Sequence, residues 1–336
     1  MISELLRLID SLSGHKIMII GDMVADVYLE GKISRISREA PVLVLEHGGE
    51  TVVPGGAANA VHNAATLGGD TFAVGVVGDD AAGRELNTIL AGKSVHTTGL
   101  LIDPTRPTIT KTRVMAGGLA TVRQQIVRID REAKDSLSHA VEARLLEYIG
   151  THIEAMAAVV ISDYGSITLS PAVRDTVIEA CSRRGIPCIV DSRYNILAFA
   201  GATVVKQNEA EVATALGYKT LDAAGALEEA GKRMLTAMQA KAILLTRGPE
   251  GMSLFEAGGK VTHISVSNVS EVFDVTGAGD TAVVTAALAL AAGASYVEAA
   301  RLANIAAGIV VKKPGTATTT TAELREAVGA YHEDHR

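Results

Sequence analysis

Aromatic residues make up only 3% of this 336-residue chain, and tryptophan is absent. The core must therefore be built from alanine, valine, isoleucine and leucine, and 48% hydrophobic residues supply enough of them for a large globular body. An excess of basic residues is also lacking. The 31 Lys and Arg stand against 38 Asp and Glu, a formal net charge of −7, which argues against nucleic acid or an anionic membrane surface as the main partner. The longest apolar run, around residues 282 to 294, is too short and too alanine-rich to span a bilayer. The N-terminal MISELLRLIDSL is amphipathic, with early acids rather than a signal-peptide pattern. Only two cysteines occur, Cys181 and Cys188 in CSRRGIPC, with no metal-ligand spacing around them. They read as packing residues in a reducing cytoplasm. What remains is a soluble, cytoplasmic protein whose length suits one large α/β domain spanning 1–336.

Short apolar runs alternate with helical patterns. KIMIIGD (16–22), TFAVGVVG (71–78), AAVVISD (157–163), IPCIVDS (186–192), TVVKQN (203–208) and KAILLTRG (241–248) read as strands covered on both faces. Amphipathic stretches such as 222–240 lie between them, so the expected fold is a doubly wound, mostly parallel sheet. Ligands bind such sheets beyond the carboxyl ends of the strands, where Asp22, Asp79, Asp163, Asp191, Asn208 and Arg247 follow the apolar runs. Two regions, 27–53 and 106–130, instead alternate polar and apolar residues and read as antiparallel ribbons forming a small lid. The apolar PVLVL (41–45) on one ribbon predicts a homodimer in which lids pack together.

The most informative stretch is VFDVTGAGDT (272–281). Gly277, Ala278 and Gly279 let a bulky anion approach the amides at a helix start, and Asp280 follows immediately. A carboxylate beside an anion site is awkward unless the reaction uses it, most simply as a base toward an attacking hydroxyl. Tight helix packing is the competing explanation for the glycines. AGKS (91–94) is rejected as a P-loop because Asn87 stands where the earlier glycine is required, and no G-x-G-x-x-G follows the first strand.

DVTGAGDT resembles the C-terminal signature of the PfkB, or ribokinase-like, carbohydrate kinases. PGGAANAVHNAATLGG (54–69) resembles their N-terminal signature, NEAE (208–211) their Asn-x-x-Glu motif and LLTRGPEGM (244–252) their nucleotide loop. Within that family the chain is most similar to heptose 7-phosphate kinases, through residues 21–42, PTITKTRV (107–114), QQIVRID (124–130) and residues 303–318. It departs from them where Lys-Gly is usual after SDY, and where DSRYN stands in place of Asp-Pro-Lys. Some members carry a fused nucleotidyltransferase domain, for which this sequence is expected to be too short.

The resemblance implies phosphotransfer from ATP with Mg²⁺, and a monovalent cation as a further option. It implies Asp280 as base, with Gly277, Ala278 and Gly279 as the anion hole. Asn208 and Glu211 share a helical face and hold Mg²⁺ through water, or form an ordinary cap, or do both. Thr246, Arg247, Gly248, Gly251 and Asn304 are candidates for the nucleotide, with strand-end turn chemistry and loop bonding as the alternatives. On the sugar side stand Asp22, Asp26, Gly55, Gly56 and Asn59. Arg35, Lys111, Arg113, Arg123 and Arg128 on the ribbons would receive a phosphate already on the substrate, and Arg193 would replace the missing lysine. Two other functions stay open: a kinase for an unphosphorylated sugar or nucleoside, and a sugar- or nucleotide-binding regulator without turnover.

Overall fold

The computed structural model describes residues 1–117, 124–133, 135–166, 168–266 and 272–330. After helix α1 (Ile2–Ser11), strand β1 (Lys16–Gly21) enters the body, and a single residue, Asp22, separates it from β2 (Met23–Ile36). β2 and β3 (Leu43–Gly56) form a long hairpin that leads without a break into α2 (Ala57–Thr66). β4 (Asp70–Gly78), α3 (Ala81–Ala91) and β5 (His96–Asp103) follow, and then β6 (Ile109–Gly117) and β7 (Gln124–Arg131). The chain continues through α4 (His139–His152), β8 (Ala158–Asp163), α5 (Pro171–Arg184), β9 (Cys188–Ser192), β10 (Val204–Asn208), α6 (Glu209–Leu216) and α7 (Ala226–Met238). It closes with β11 (Ala242–Thr246), β12 (Met252–Glu256), β13 (Val261–Ile264), α8 (Ala278–Ala291), α9 (Tyr296–Val310) and α10 (Thr321–Gly329).

Nine strands form the main sheet in the order β13-β12-β11-β10-β9-β8-β1-β4-β5. All neighbours are parallel from β11 to β5, and only the β11-β12-β13 edge is antiparallel. The continuous apolar runs have a direct cause. Ile17 and Ile19 of β1 face one core, with α2, α8 and α9, while Met18 and Ile20 face a second, with α4, α5 and α7. Each face of the strand is covered by helices, so no position is left for a polar residue. The six strands expected from sequence are all present; β5, β12 and β13 are additional.

The other four strands form a separate sheet, β3-β2-β6-β7, with β2 and β6 parallel at its centre. Both expected ribbons are therefore present, but they join into one sheet. This sheet is thinly covered: every residue of β7 is exposed, as are Ile36, Val42, Leu43, Ile126, Val127 and Ile129. Among the described residues, no helix is long and apolar enough to cross a membrane. Cys181 and Cys188 are buried and unbridged.

Candidate active site

Between the carboxyl ends of the parallel strands and the four-stranded sheet lies a cleft of about 430 Å³. Its floor is the start of α8. That helix is apolar on all sides, so it packs in the interior and presents its N-terminus to the cleft. Gly277 caps it with φ +81°, a conformation that favours glycine, and a Cβ there would lie 2.6 Å from the Asn59 side-chain nitrogen. At Gly279 a Cβ would come 2.7 Å from Lys206 Nζ. The small residues thus let α8 sit close to two side chains of the body and keep the cleft open above it.

Asp280, in the first turn of α8, is 4% exposed and lines the cleft. Its Oδ2 accepts from Asn59 Nδ2 at 2.8 Å, and its Oδ1 from the Tyr164 hydroxyl at 2.9 Å. Burial pushes its pKa up to about 6; the two hydrogen bonds and Lys206 act against that rise, and Asp191 adds to it. A carboxyl poised near 6 is mostly ionised at neutral pH and basic enough to take a proton from a hydroxyl. Lys206 from β10 donates to Asp191 at 2.8 Å. Burial disfavours its ammonium, but the charge and hydrogen bond of Asp191 outweigh it, and its pKa is raised. A cation is thereby held at the positive end of a helix, an arrangement suited to an anion in the cleft.

Asn208 and Glu211 line the cleft and also form a full capping box, Glu211 N donating to Asn208 Oδ1 and Asn208 N to Glu211 Oε2, each at 2.8 Å. Both expected roles are geometrically compatible, because the cap occupies one Glu211 oxygen. Burial, and then the charge of Asp191, raise the Glu211 pKa. Lys206 and Arg193 act against that rise, and the two carboxylates in the cleft lining, Asp191 and Glu211, suit a hydrated divalent cation.

Lys111, Arg113 and Arg128 from the ribbon sheet line the opposite wall, with Asp26 and Gly56, while Arg193 enters the lining from just after β9. Arg113 is engaged: its Nη1 donates to Asp26 Oδ1 at 2.7 Å in a largely buried pair. Arg128 forms a two-point pair with Asp130, and Lys111 Nζ lies 5.3 Å from the centre of the Tyr164 ring. Gly55 gives Asp26 room, since a Cβ there would meet its carboxylate at 2.7 Å.

Several expected residues lie elsewhere. Asp22 is fully buried and its carboxylate accepts from the amides of Tyr164, Ser166 and Thr168, so it secures the turn after β8 and does not face a sugar. Asn59 is also fully buried and outside the cleft lining; its Nδ2 donates to Asp280 and its Oδ1 accepts from Asn63. Arg35 is exposed beyond a register shift near the far end of β2, away from the cleft. Arg247 pairs with Glu209 and Glu250 and lies outside the cleft lining. Thr246 ends β11, Gly248 and Gly251 lie in the turn to β12, all outside the cleft lining, and Asn304 donates to Ser265 O at 2.8 Å. Arg123 lies outside the described residues. Tyr164 and Lys206 escaped sequence reasoning; the one signal for Lys206 was a charge inside the otherwise apolar strand TVVKQN. A larger hollow of about 710 Å³ beside α4 and α5 shares Asp163 with the cleft but holds none of these groups.

The sequence matches the pfkB family carbohydrate kinase over residues 14–323. It is 40% identical to "Bifunctional protein HldE" of Geobacter sulfurreducens over 96% of this chain and 66% of the relative. It is 44% identical to the protein of the same name from Azorhizobium caulinodans over 93% of this chain and 64% of the relative. The chain thus spans just under two thirds of the length of these relatives. Among solved structures, Arabidopsis thaliana ribokinase complexed with ribose and ATP superposes with a TM-score of 0.71 at 20% identity, covering 94% of this chain and 99% of that one. Escherichia coli phosphofructokinase-2 in complex with fructose-6-phosphate gives 0.73 at 19%, covering 94% and 98%. These two likenesses establish a shared ribokinase-like fold. The family match spans most of the chain, and the chain belongs to the pfkB family of carbohydrate kinases.

Proposed function

We propose that the chain transfers the γ-phosphoryl group of ATP to a hydroxyl of an already phosphorylated sugar of the heptose 7-phosphate kind. The observation that carries this reading is the opposition across one cleft of a buried carboxylate beside a glycine-capped helix start and a wall of ribbon cations. The relatives named HldE support the substrate class. In the reaction Asp280 takes the proton of the sugar hydroxyl, whose oxygen bonds to phosphorus as the bond to the ADP oxygen breaks. The α8 amides and Lys206 face the charge that develops on the transferring group. Lys111 and Arg128 hold the phosphate the sugar already carries, and Arg113 joins them or stays with Asp26.

Asn208, Glu211 and Asp191 are the residues that would hold Mg²⁺, through water. The ion would neutralise phosphate charge when bound. The turn after β11 and Asn304 are retained as the wall toward the nucleoside. Closure of the ribbon sheet would exclude water, and its exposed apolar residues favour a homodimer formed through these sheets.

A panel of sugars and sugar phosphates with ATP and Mg²⁺, with and without K⁺, tests the proposal through the mass of the product. Phosphorylation of a sugar phosphate far ahead of its unphosphorylated form is the expected result. The reverse preference would establish the second reading, a kinase for an unphosphorylated sugar, which the Arg113–Asp26 pairing favours by removing one cation from the wall. Ligand binding without sugar-stimulated ADP release would point to a regulator.

A further inference from the structure

The two donors that hold Asp280 are mounted differently. Asn59 sits inside α2 and is braced by Asn63, which also accepts from Thr281 of α8. That anchor is rigid and wholly internal. Tyr164 rides on the turn after β8, which Asp22 fastens through three amides. Its ring faces Lys111 from β6 of the ribbon sheet. It is thus one side chain in contact with both the carboxylate and the ribbon-sheet wall of the cleft.

On the reading of Asp280 as base, we propose that Tyr164 is a positioning residue that fixes Oδ1 of Asp280 and ties that oxygen to the placement of Lys111 on the ribbon sheet. One donor on each oxygen sets the plane of the carboxylate, so its remaining lone pairs point to the cleft. Charged groups face this pair from several sides: Asp191 of β9, Lys206 of β10, Arg193 just after β9 and Lys111 of β6. None of them takes the place of the phenol at Oδ1. Without the hydroxyl, a desolvated oxygen loses its donor and Asp280 binds its proton more tightly. The fraction of ionised base then falls at low pH and recovers at high pH.

The test compares pH–rate profiles of the full chain and of Tyr164→Phe, with the phosphosugar identified by the substrate panel. The acid limb of kcat should move up by about one pH unit, with kcat down about tenfold near pH 6 and the deficit shrinking above pH 8. The KM for ATP should stay unchanged, and Tyr164→His, which keeps a donor, should recover part of kcat. Lys111→Met should lower kcat in the wild-type background by a factor that disappears in Tyr164→Phe. An acid limb that coincides with wild type, or a Lys111→Met factor identical in both backgrounds, would overturn the proposal. Asp280→Asn separates the two layers: if it keeps full activity the base assignment itself fails, whereas loss there with an unmoved limb in Tyr164→Phe sinks only the role of the tyrosine.

Discussion

The two sheets are built from the same kinds of residue and do opposite things with them. In the nine-stranded sheet both faces of β1 and β8 are apolar and fully covered. In the four-stranded sheet β7 is exposed throughout, and its isoleucines and valine meet no core. The first sheet provides fixed points: strand ends, a helix N-terminus, a carboxylate held by two donors. The second provides charges on a thinly covered surface. A buried carboxylate and a wall of cations are thus divided between the sheets, and the cleft is where they meet.

The comparison is broken most severely at Asp280. Asp280→Asn should lower kcat by about 10²- to 10⁴-fold, measured as ADP release, with substrate binding retained. The same substitution should stabilise the body. A carboxyl whose folded pKa is raised to about 6 contributes stability that is present at low pH and is lost as pH rises through 6. At pH 8 the wild type therefore bears the cost of a buried charge that asparagine does not, about 1–3 kcal/mol. Denaturant melts should show the variant ahead at pH 8 and the gap narrowing toward pH 4. An advantage that does not change with pH would contradict the burial argument.

On the other side of the cleft, Lys111→Met should raise KM for a sugar phosphate roughly 10- to 100-fold and leave that for its unphosphorylated analogue unchanged. Lys111 is the cleaner probe, because Arg113→Ala would also leave Asp26 buried without its partner. Equal effects on both substrates would remove the phosphate from this wall. Asp22→Asn should cost about 1.5–3 kcal/mol of stability in thermal melts while changing the sugar KM less than about threefold. A large KM change with unaltered melting would restore Asp22 as a sugar ligand. The smallest effect on chemistry is expected at the outer face: Ile129→Lys should dissociate a dimer in sedimentation experiments and leave monomer turnover within about twofold. A monomeric wild type would dismiss that interface.

What could be read from sequence follows the same division. The six covered strands are legible because burial on both sides demands unbroken apolar runs such as IMII and AVVI. β5 and β13 are not, because edge strands tolerate mixtures such as HTTGLLID and VTHI, and β12, MSLFE, is a short run of only five residues. The helix start at Gly277–Asp280 is legible because four consecutive residues carry its chemistry. The holders of Asp280 are not: Asn59 lies 221 residues away and Tyr164 116. Asp22 illustrates the converse, since an acid after a strand reads alike whether it meets a sugar or three amides 142 to 146 residues downstream.

One joint in the chain has mechanical implications. A single residue, Asp22, links β1 to β2, and β3 ends at Gly56, the cap of α2 with φ +53°. Before β6, Thr108 is clasped by Asp80, its amide to Oδ2 at 3.0 Å and its hydroxyl to Oδ1 at 2.6 Å. Three of the joints between the upper sheet and the body are therefore short and firmly held. A change in the angle of the upper sheet would turn the joints at Asp22 and Gly56, which adjoin the turn that carries Tyr164 and the helix that carries Asn59, the two side chains that hold Asp280.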